Sequence, residues 1–201
     1  MRKAILHLKK GDPLLAAVIG TVGPYRMDYR EPCFETLVRS IIYQQLSGKA
    51  AATILGRLVA AVGDRGLTPE AILRLKPEKM RALGLSTAKT AYVRDLAEQT
   101  KKGKVRFDHL CDLCDDDVIA ELTQVKGVGV WTAQMFLMFA LRRPDILPLG
   151  DLGVRAAMKR IYGLEDLPKP AQMIELATPW RPFASVASWY LWRSLDGPAQ
   201  I

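Results

Sequence analysis

The chain has 201 residues, 49% of them hydrophobic and 25% charged, which is typical of a soluble globular protein of one domain or two small lobes. Its 29 lysines and arginines outnumber 21 acidic residues, and the resulting net charge of +8 favours a polyanionic partner such as nucleic acid. Apolar runs such as Leu14–Ile19 are too short to span a membrane, and three cysteines are too few for a disulfide framework, so we expect a cytoplasmic protein.

Helical periodicity runs through the chain from Phe34 onward and predicts an all-α fold, because no convincing strand alternation interrupts it. Helix-start signals agree with this prediction: Thr68 precedes Pro69, Ser86 precedes another helical run, and acidic residues open the run at 115–117. The predicted helical segments are residues 34–46, 48–62, 68–75, 76–83, 86–100, 115–125, 130–141, 151–163 and 182–195.

The longest break in the apolar second half is Pro144–Gly150, which we interpret as a crossing between two helical lobes. We expect a central lobe over residues 37–147 and a second lobe formed by residues 1–36 together with 148–201. A cleft between two such lobes is a natural place for a functional site.

The segment Glu121–Phe136 contains two helical runs joined by Lys126-Gly127-Val128-Gly129. A turn this short needs residues that tolerate positive φ, and glycine does so without a steric penalty. The second helix begins just past Gly129, so its first N–H groups and its positive dipole end would suit a phosphate, with Lys126 adding charge. A plain helix–helix turn, in which glycine serves only the chain, is the alternative.

Further motifs accompany this hairpin. The hairpin sequence LTQVKGVGVWTA is followed by ILPLGDLGVRAA, which contains Asp151, and the other segments are IIYQQLSGKAA (Ile41–Ala51), LGLSTAKTAYVRDLA (Leu83–Ala97) and PWRPFASVASWYLWR (Pro179–Arg193). Together they resemble the helix-hairpin-helix (HhH-GPD) superfamily of DNA glycosylases, and are most similar to its 3-methyladenine DNA glycosylase II branch. The resemblance covers roughly residues 34–193. The hairpin alone is weak evidence, whereas hairpin, spaced aspartate and C-terminal segment together are specific.

The resemblance implies that the hairpin amides at Gly127 and Gly129 hold one phosphate of the damaged strand. Thr132 is a candidate side-chain contact to the same phosphate, and Lys126 lies beside it. A second glycine-led helix start supplies Ser86 and Lys89 as further candidate phosphate ligands, and ordinary solvated charge is the alternative for Lys89.

The family's hairpin also holds a monovalent cation, Na⁺ or K⁺, through main-chain carbonyls. By position these carbonyls belong to Thr123, Val125 and Val128. Such an ion would add positive field at the bound phosphate. No other cofactor is expected.

Asp151 stands directly before a helical run, where an aspartate commonly serves as N-cap. The capping role is compatible with catalysis, because N–H donors and the helix dipole stabilise the negative charge of the carboxylate. Cleavage of an N-glycosidic bond builds positive charge on the sugar, which an ionised carboxylate can stabilise while it orients or deprotonates water. The resemblance implies that Asp151 is the catalytic residue.

Relatives that also cut the DNA strand carry an attacking lysine in the second hairpin helix, and Trp131 occupies the matching position here. The resemblance therefore implies a monofunctional glycosylase without AP-lyase activity. Relatives with an iron–sulfur cluster carry four cysteines near the C-terminus. No cysteine follows Cys114 here, so we expect no such cluster.

A buried base must be flipped out before it can be excised, and an alkylated purine is cationic, so it stacks well on an indole. The family's pocket aromatics correspond to Trp131 and Trp189, Met135 replaces an aromatic seen in some relatives, and Tyr43 is a further pocket candidate. Packing in the core is the alternative for each tryptophan.

The gap left in the duplex must be filled, and in the family a residue in the loop after the QQ helix does so. The candidates here are Gln45 and Leu46, with Gln45 preferred. A polar helix end without this role is the alternative.

These features predict an enzyme that excises 3-methyladenine- and 7-methylguanine-type bases from double-stranded DNA and leaves an abasic site. We expect the compact helical form of the family, without an N-terminal β domain, acting as a monomer in the nucleoid of a bacterium or archaeon or in a eukaryotic nucleus. The alternatives are a non-catalytic DNA-binding module and a superfamily glycosylase for uracil, mismatches or oxidised bases.

Overall fold

The computed structural model describes residues 1–196, and the described residues form α-helices and loops without any strand, which confirms the all-α class. No helix in this range is both long and apolar enough to cross a bilayer. The α-helices are Arg2–Gly11 (α1), Pro13–Val22 (α2), Phe34–Tyr43 (α3), Gly48–Val62 (α4), Pro69–Arg74 (α5), Pro77–Ala82 (α6), Thr87–Lys101 (α7), Asp115–Leu122 (α8), Val130–Phe139 (α9), Leu152–Tyr162 (α10), Pro170–Leu176 (α11) and Ala184–Leu195 (α12).

Each predicted segment corresponds to one helix, but α1, α2 and α11 were not among the predictions. The α2 helix carries a readable start signal, because Asp12 accepts the N–H of Leu15 and Pro13 occupies the first helical position. The predicted segment 34–46 was too long, because the helix ends at Tyr43 and the left-handed φ of +55° at Gln45 cannot continue it.

The chain forms two compact units. The terminal unit comprises Met1–Tyr29 and the described residues from Arg142 onward, and the central unit comprises Arg30–Leu141. The lobe boundaries expected at 36/37 and 147/148 stay predictions.

The central unit is organised around α3, which packs against α4, α7 and α9. Helix α8 packs against α9 to make the hairpin, while α5 and α6 cover α7. Three phenylalanines, Phe34, Phe107 and Phe136, stack edge-on or tilted in its core, with successive ring centroids 6.4 and 6.0 Å apart.

The terminal unit packs α2, α10 and α12 against one another and places the buried carboxylate of Asp12 at the junction of α1 and α2. One oxygen of Asp12 accepts the N–H of Leu15 at 3.0 Å. The other accepts the indole N–H of Trp180 at 2.9 Å and the hydroxyl of Tyr162. Burial, with the bond to Asp12, raises the pKa of Tyr162 above its ordinary value, so this hydroxyl remains a donor. A single carboxylate thus joins three segments that are distant in sequence.

We predict that Asp12→Asn destabilises the protein by about 1.5–3 kcal/mol, because an amide has a single acceptor oxygen. In either orientation its NH2 group faces a donor, which is the N–H of Leu15 or the pair Trp180 and Tyr162. Thermal and urea unfolding would measure the change. Asp166→Asn is the matched control, since Asp166 is exposed in the same unit. Equal stability of the two variants would contradict the structural role of Asp12.

Candidate functional site

The two hairpin glycines have different environments. Gly127 has a φ of +78°, and a Cβ placed there would lie 2.1 Å from the ring of Tyr92 on α7. Gly129 has an ordinary φ of −93°, and a Cβ there would meet no atom within 4 Å. Gly127 is therefore required by the turn and by the packing of Tyr92, whereas Gly129 leaves the start of α9 open to approach.

The beginning of α9 has the features of an anion site. The N-cap is Gly129, which has no side chain to accept the first N–H groups, and the first intrahelical bond recorded there runs from Ala133 N–H to the Gly129 carbonyl at 3.0 Å. The amide N–H groups of the first turn thus lie at the positive end of the helix dipole, and no side chain caps them. Lys126 is exposed beside them, and its backbone N–H donates to Asp95 on α7 at 2.8 Å.

Gln44, which follows α3, joins this hairpin to the α3 loop. Its side-chain amide donates to the Gly127 carbonyl at 3.0 Å and to the Thr132 hydroxyl at 3.2 Å. Thr132 is buried and its hydroxyl accepts the N–H of Gln44, so its role at a phosphate stays a prediction. The sequence analysis did not assign a role to Gln44.

Lys89, another candidate phosphate ligand, contacts backbone carbonyls, and its role at a phosphate stays a prediction. Its ammonium group donates to the carbonyls of Ile42 and Gln44 at 2.7 and 2.6 Å, so it caps the end of α3. Partial burial lowers the pKa of Lys89 below its ordinary value. Ser86 is exposed and caps α7 by accepting the Lys89 N–H, so its role at a phosphate stays a prediction.

Thr123, Val125 and Val128, the candidate cation ligands, lie in the turn that follows α8. Val128 N–H donates to the Val125 carbonyl at 3.0 Å, which leaves the second lone pair of that oxygen for an ion. Neutral oxygen donors suit a hard monovalent cation, and the site stays a prediction. Within residues 1–196, no cluster of His, Cys, Asp or Glu side chains could hold a metal ion.

A cavity of about 640 Å³ lies within the central unit beside the hairpin. Three predicted pocket residues, Trp131, Met135 and Tyr43, line it together with the wedge candidate Gln45. Trp131 is 42% exposed, so part of its indole is accessible to solvent. The complete lining is Arg30, Thr36, Arg39, Ser40, Tyr43, Gln44, Gln45, Gly127, Trp131, Thr132, Met135, Phe136 and Phe139.

The wedge candidates lie in the loop between α3 and α4. Gln45 is exposed and holds a left-handed backbone, which is uncommon for a residue with a side chain and clusters at functional sites. Leu46 is 40% exposed. Both side chains are therefore exposed, Gln45 also lines the cavity, and the choice between them stays open.

Asp151 is the N-cap of α10 in the terminal unit and is 8% exposed. Its Oδ1 accepts the Val154 N–H at 2.7 Å and the indole N–H of Trp192 at 2.8 Å. A Cβ at Gly153 would lie 3.1 Å from both Asp151 Oδ1 and Trp192 Cδ1, so glycine leaves room for the indole to reach the carboxylate. Trp192 therefore positions the Asp151 carboxylate, and the sequence analysis did not identify this residue.

Trp189 is buried in the core of the terminal unit. Its ring lies 4.7 Å from the ring of Tyr25 and 4.9 Å from that of Tyr190. This aromatic cluster favours the packing alternative over the pocket role expected from the resemblance. Trp189 and Asp151 belong to the terminal unit, whereas the hairpin and the cavity belong to the central unit.

The chain matches known proteins over most of its length. The family model for the HhH-GPD superfamily base excision DNA repair proteins matches residues 38–182. DNA-3-methyladenine glycosylase 1 of Schizosaccharomyces pombe is 34% identical, over 96% of this chain and 87% of that protein. A Bacillus subtilis relative is 35% identical over 86% of this chain, which spans 62% of that relative's length. The solved structure of the S. pombe 3-methyladenine DNA glycosylase in complex with abasic DNA superposes with a TM-score of 0.84 and covers 94% of this chain and 95% of its own, at 34% identity.

We predict that Gly127→Ala destabilises the protein by about 1–3 kcal/mol, because the methyl group clashes with Tyr92 and the backbone φ is left-handed. Gly129→Ala is expected to leave the free energy of unfolding nearly unchanged, since its Cβ meets open space. Urea unfolding of both variants checks the pair. Comparable losses would show that the glycines do not differ in role.

Proposed function

Since the chain belongs to the HhH-GPD superfamily of base excision DNA repair proteins, we propose that it is a monofunctional DNA glycosylase for alkylated purines. It flips the damaged nucleotide out of the duplex, hydrolyses its N-glycosidic bond and leaves an abasic site. The observation that carries this proposal is the Asp151 carboxylate, held by two N–H donors at a helix start in a chain that also presents an open hairpin.

Asp151 supplies the negative charge that the reaction needs. As the bond between C1′ and the base nitrogen breaks, its electron pair leaves with the base and the sugar becomes an oxocarbenium-like cation. The carboxylate stabilises this cation and orients the water that adds to C1′, taking up the proton of that water. Trp192 and Val154 hold Oδ1, so the carboxylate keeps one orientation during the reaction.

The hairpin binds the backbone of the DNA. The first amides of α9, the open face of Gly129 and the charge of Lys126 support binding of one phosphate, with a monovalent cation at the carbonyls of Thr123, Val125 and Val128 adding to the field. Phosphate contacts of this kind fix register and carry no base sequence information.

The cavity of the central unit receives the extruded base. Trp131 presents a half-exposed indole on which a cationic purine can stack, and Gln45 or Leu46 fills the gap in the duplex. Because Trp131 stands where strand-cutting relatives have a lysine, no amine is available there for a Schiff base. One chain supplies every group in this scheme, so we propose that the protein acts as a monomer. Its substrate is the DNA of a nucleoid or a nucleus.

We predict that the wild type releases 3-methyladenine or 7-methylguanine from methylated duplex DNA and that Asp151→Asn lowers this release at least about 100-fold. Chromatography of the free bases measures release, and a binding assay with abasic duplex shows whether the variant still binds DNA. The product strand should stay intact until it is heated in alkali, as expected of a monofunctional enzyme.

A folded wild type that binds DNA but releases no alkylated base would overturn the alkylpurine assignment. A panel of uracil, mismatched and oxidised substrates would then separate another glycosylase branch from a pure binding module. Full activity of Asp151→Asn would remove Asp151 from the reaction.

A further inference from the structure

Arg39 lies in the wall of the central-unit cavity, and the proposed mechanism does not use it. Its guanidinium carbon lies 4.0 Å above the centroid of the Tyr43 ring. Within the described part of the chain, this ring is the only recorded partner of the Arg39 side chain, and none of the residues that line the cavity carries a carboxylate. The N–H donors of Arg39 are therefore available to a molecule in the cavity.

The positive charge of Arg39 can affect the reaction because negative charge builds on the base as the glycosidic bond breaks. When the glycosidic bond breaks, its electron pair goes to the base nitrogen, so the base gains one negative charge relative to the bound substrate. A cationic base leaves neutral, whereas a neutral base leaves as an anion. A fixed positive group on the base side favours the departing base over the bound one in both cases, while Asp151 stabilises the sugar.

The need for this help differs between substrates. A base alkylated at N3 or N7 is already cationic and departs readily. A neutral purine such as hypoxanthine must depart as an anion that later takes a proton from water, and the residues lining the cavity include no Asp, Glu or His that could act as a general acid. The carbonyl oxygen of such a base is also an acceptor that a guanidinium can bind.

We infer that Arg39 stabilises the departing base by charge and by hydrogen bonding, and that it extends the substrate range from cationic purines to neutral purines that carry a carbonyl group. Tyr43 holds the guanidinium at the cavity wall through its ring face. This inference rests on the proposed glycosylase function.

The test compares single-turnover release of 7-methylguanine and of hypoxanthine from matched duplexes at saturating enzyme. Arg39→Gln is expected to lower hypoxanthine release about 100-fold, the usual effect of removing one donor to developing negative charge, and to change 7-methylguanine release only a few-fold. Arg39→Lys keeps the charge and should retain most hypoxanthine release. Arg65→Gln, at an exposed arginine outside the cavity, is the matched control. Thermal unfolding of each variant checks that it folds.

The outcomes are distinct. Equal losses on both substrates, with weaker and less salt-dependent DNA binding, would make Arg39 a phosphate contact and overturn the inference. So would unchanged hypoxanthine release, or a wild type that releases 7-methylguanine and no neutral purine. A wild type that binds DNA and releases neither base would instead overturn the proposed function itself. If Arg39→Gln fails to fold, the ratio of the two rates in Arg39→Lys decides, since selective loss of hypoxanthine release in this charge-retaining variant would exclude a role for charge.

Discussion

The side-chain amide of Gln44 is the contact on which the central unit's site depends. It donates to the carbonyl of Gly127 in the hairpin and to the hydroxyl of Thr132 in α9, while the backbone that follows α3 carries Gln45 toward the cavity. A single amide thus fixes the hairpin turn relative to the loop that carries the wedge candidates. Lys89 supports the same loop by binding the carbonyls of Ile42 and Gln44, which explains why its charge is turned inward.

In both units, a glycine leaves room for an aromatic ring beside a candidate functional group. In the central unit, a missing side chain at Gly127 lets Tyr92 pack on the turn. In the terminal unit, a missing side chain at Gly153 lets the indole of Trp192 reach the carboxylate of Asp151. In each case glycine admits a neighbouring ring, and at Gly153 that ring donates to the Asp151 carboxylate. Such positioning raises the effectiveness of groups that act on charge developing in the transition state.

Local patterns predicted most of the fold, because helix starts and apolar periodicity depend on residues that are close together in the sequence. Asp151 followed from its place before a helix and from the family resemblance, and its catalytic role stays a prediction. What the sequence did not reveal are contacts between residues far apart in the chain. Gln44 lies 83 residues from Gly127, and Trp192 lies 41 residues from Asp151. The ligand roles of Lys89 and Trp189 stay predictions, because charge and aromaticity look the same in sequence whether a side chain faces a ligand or the core.

The central claim is that Gln44 joins the hairpin turn, the proposed phosphate site, to the loop beside the cavity. Gln44→Ala tests this claim most directly. Affinity for abasic duplex and single-turnover release of 7-methylguanine should be measured together, with the exposed Gln172→Ala as control. Losing the two hydrogen bonds, at about 1 kcal/mol each, should weaken affinity by about tenfold or more and should slow release as well. A folded Gln44→Ala variant with the affinity and the rate of the wild type would contradict the account.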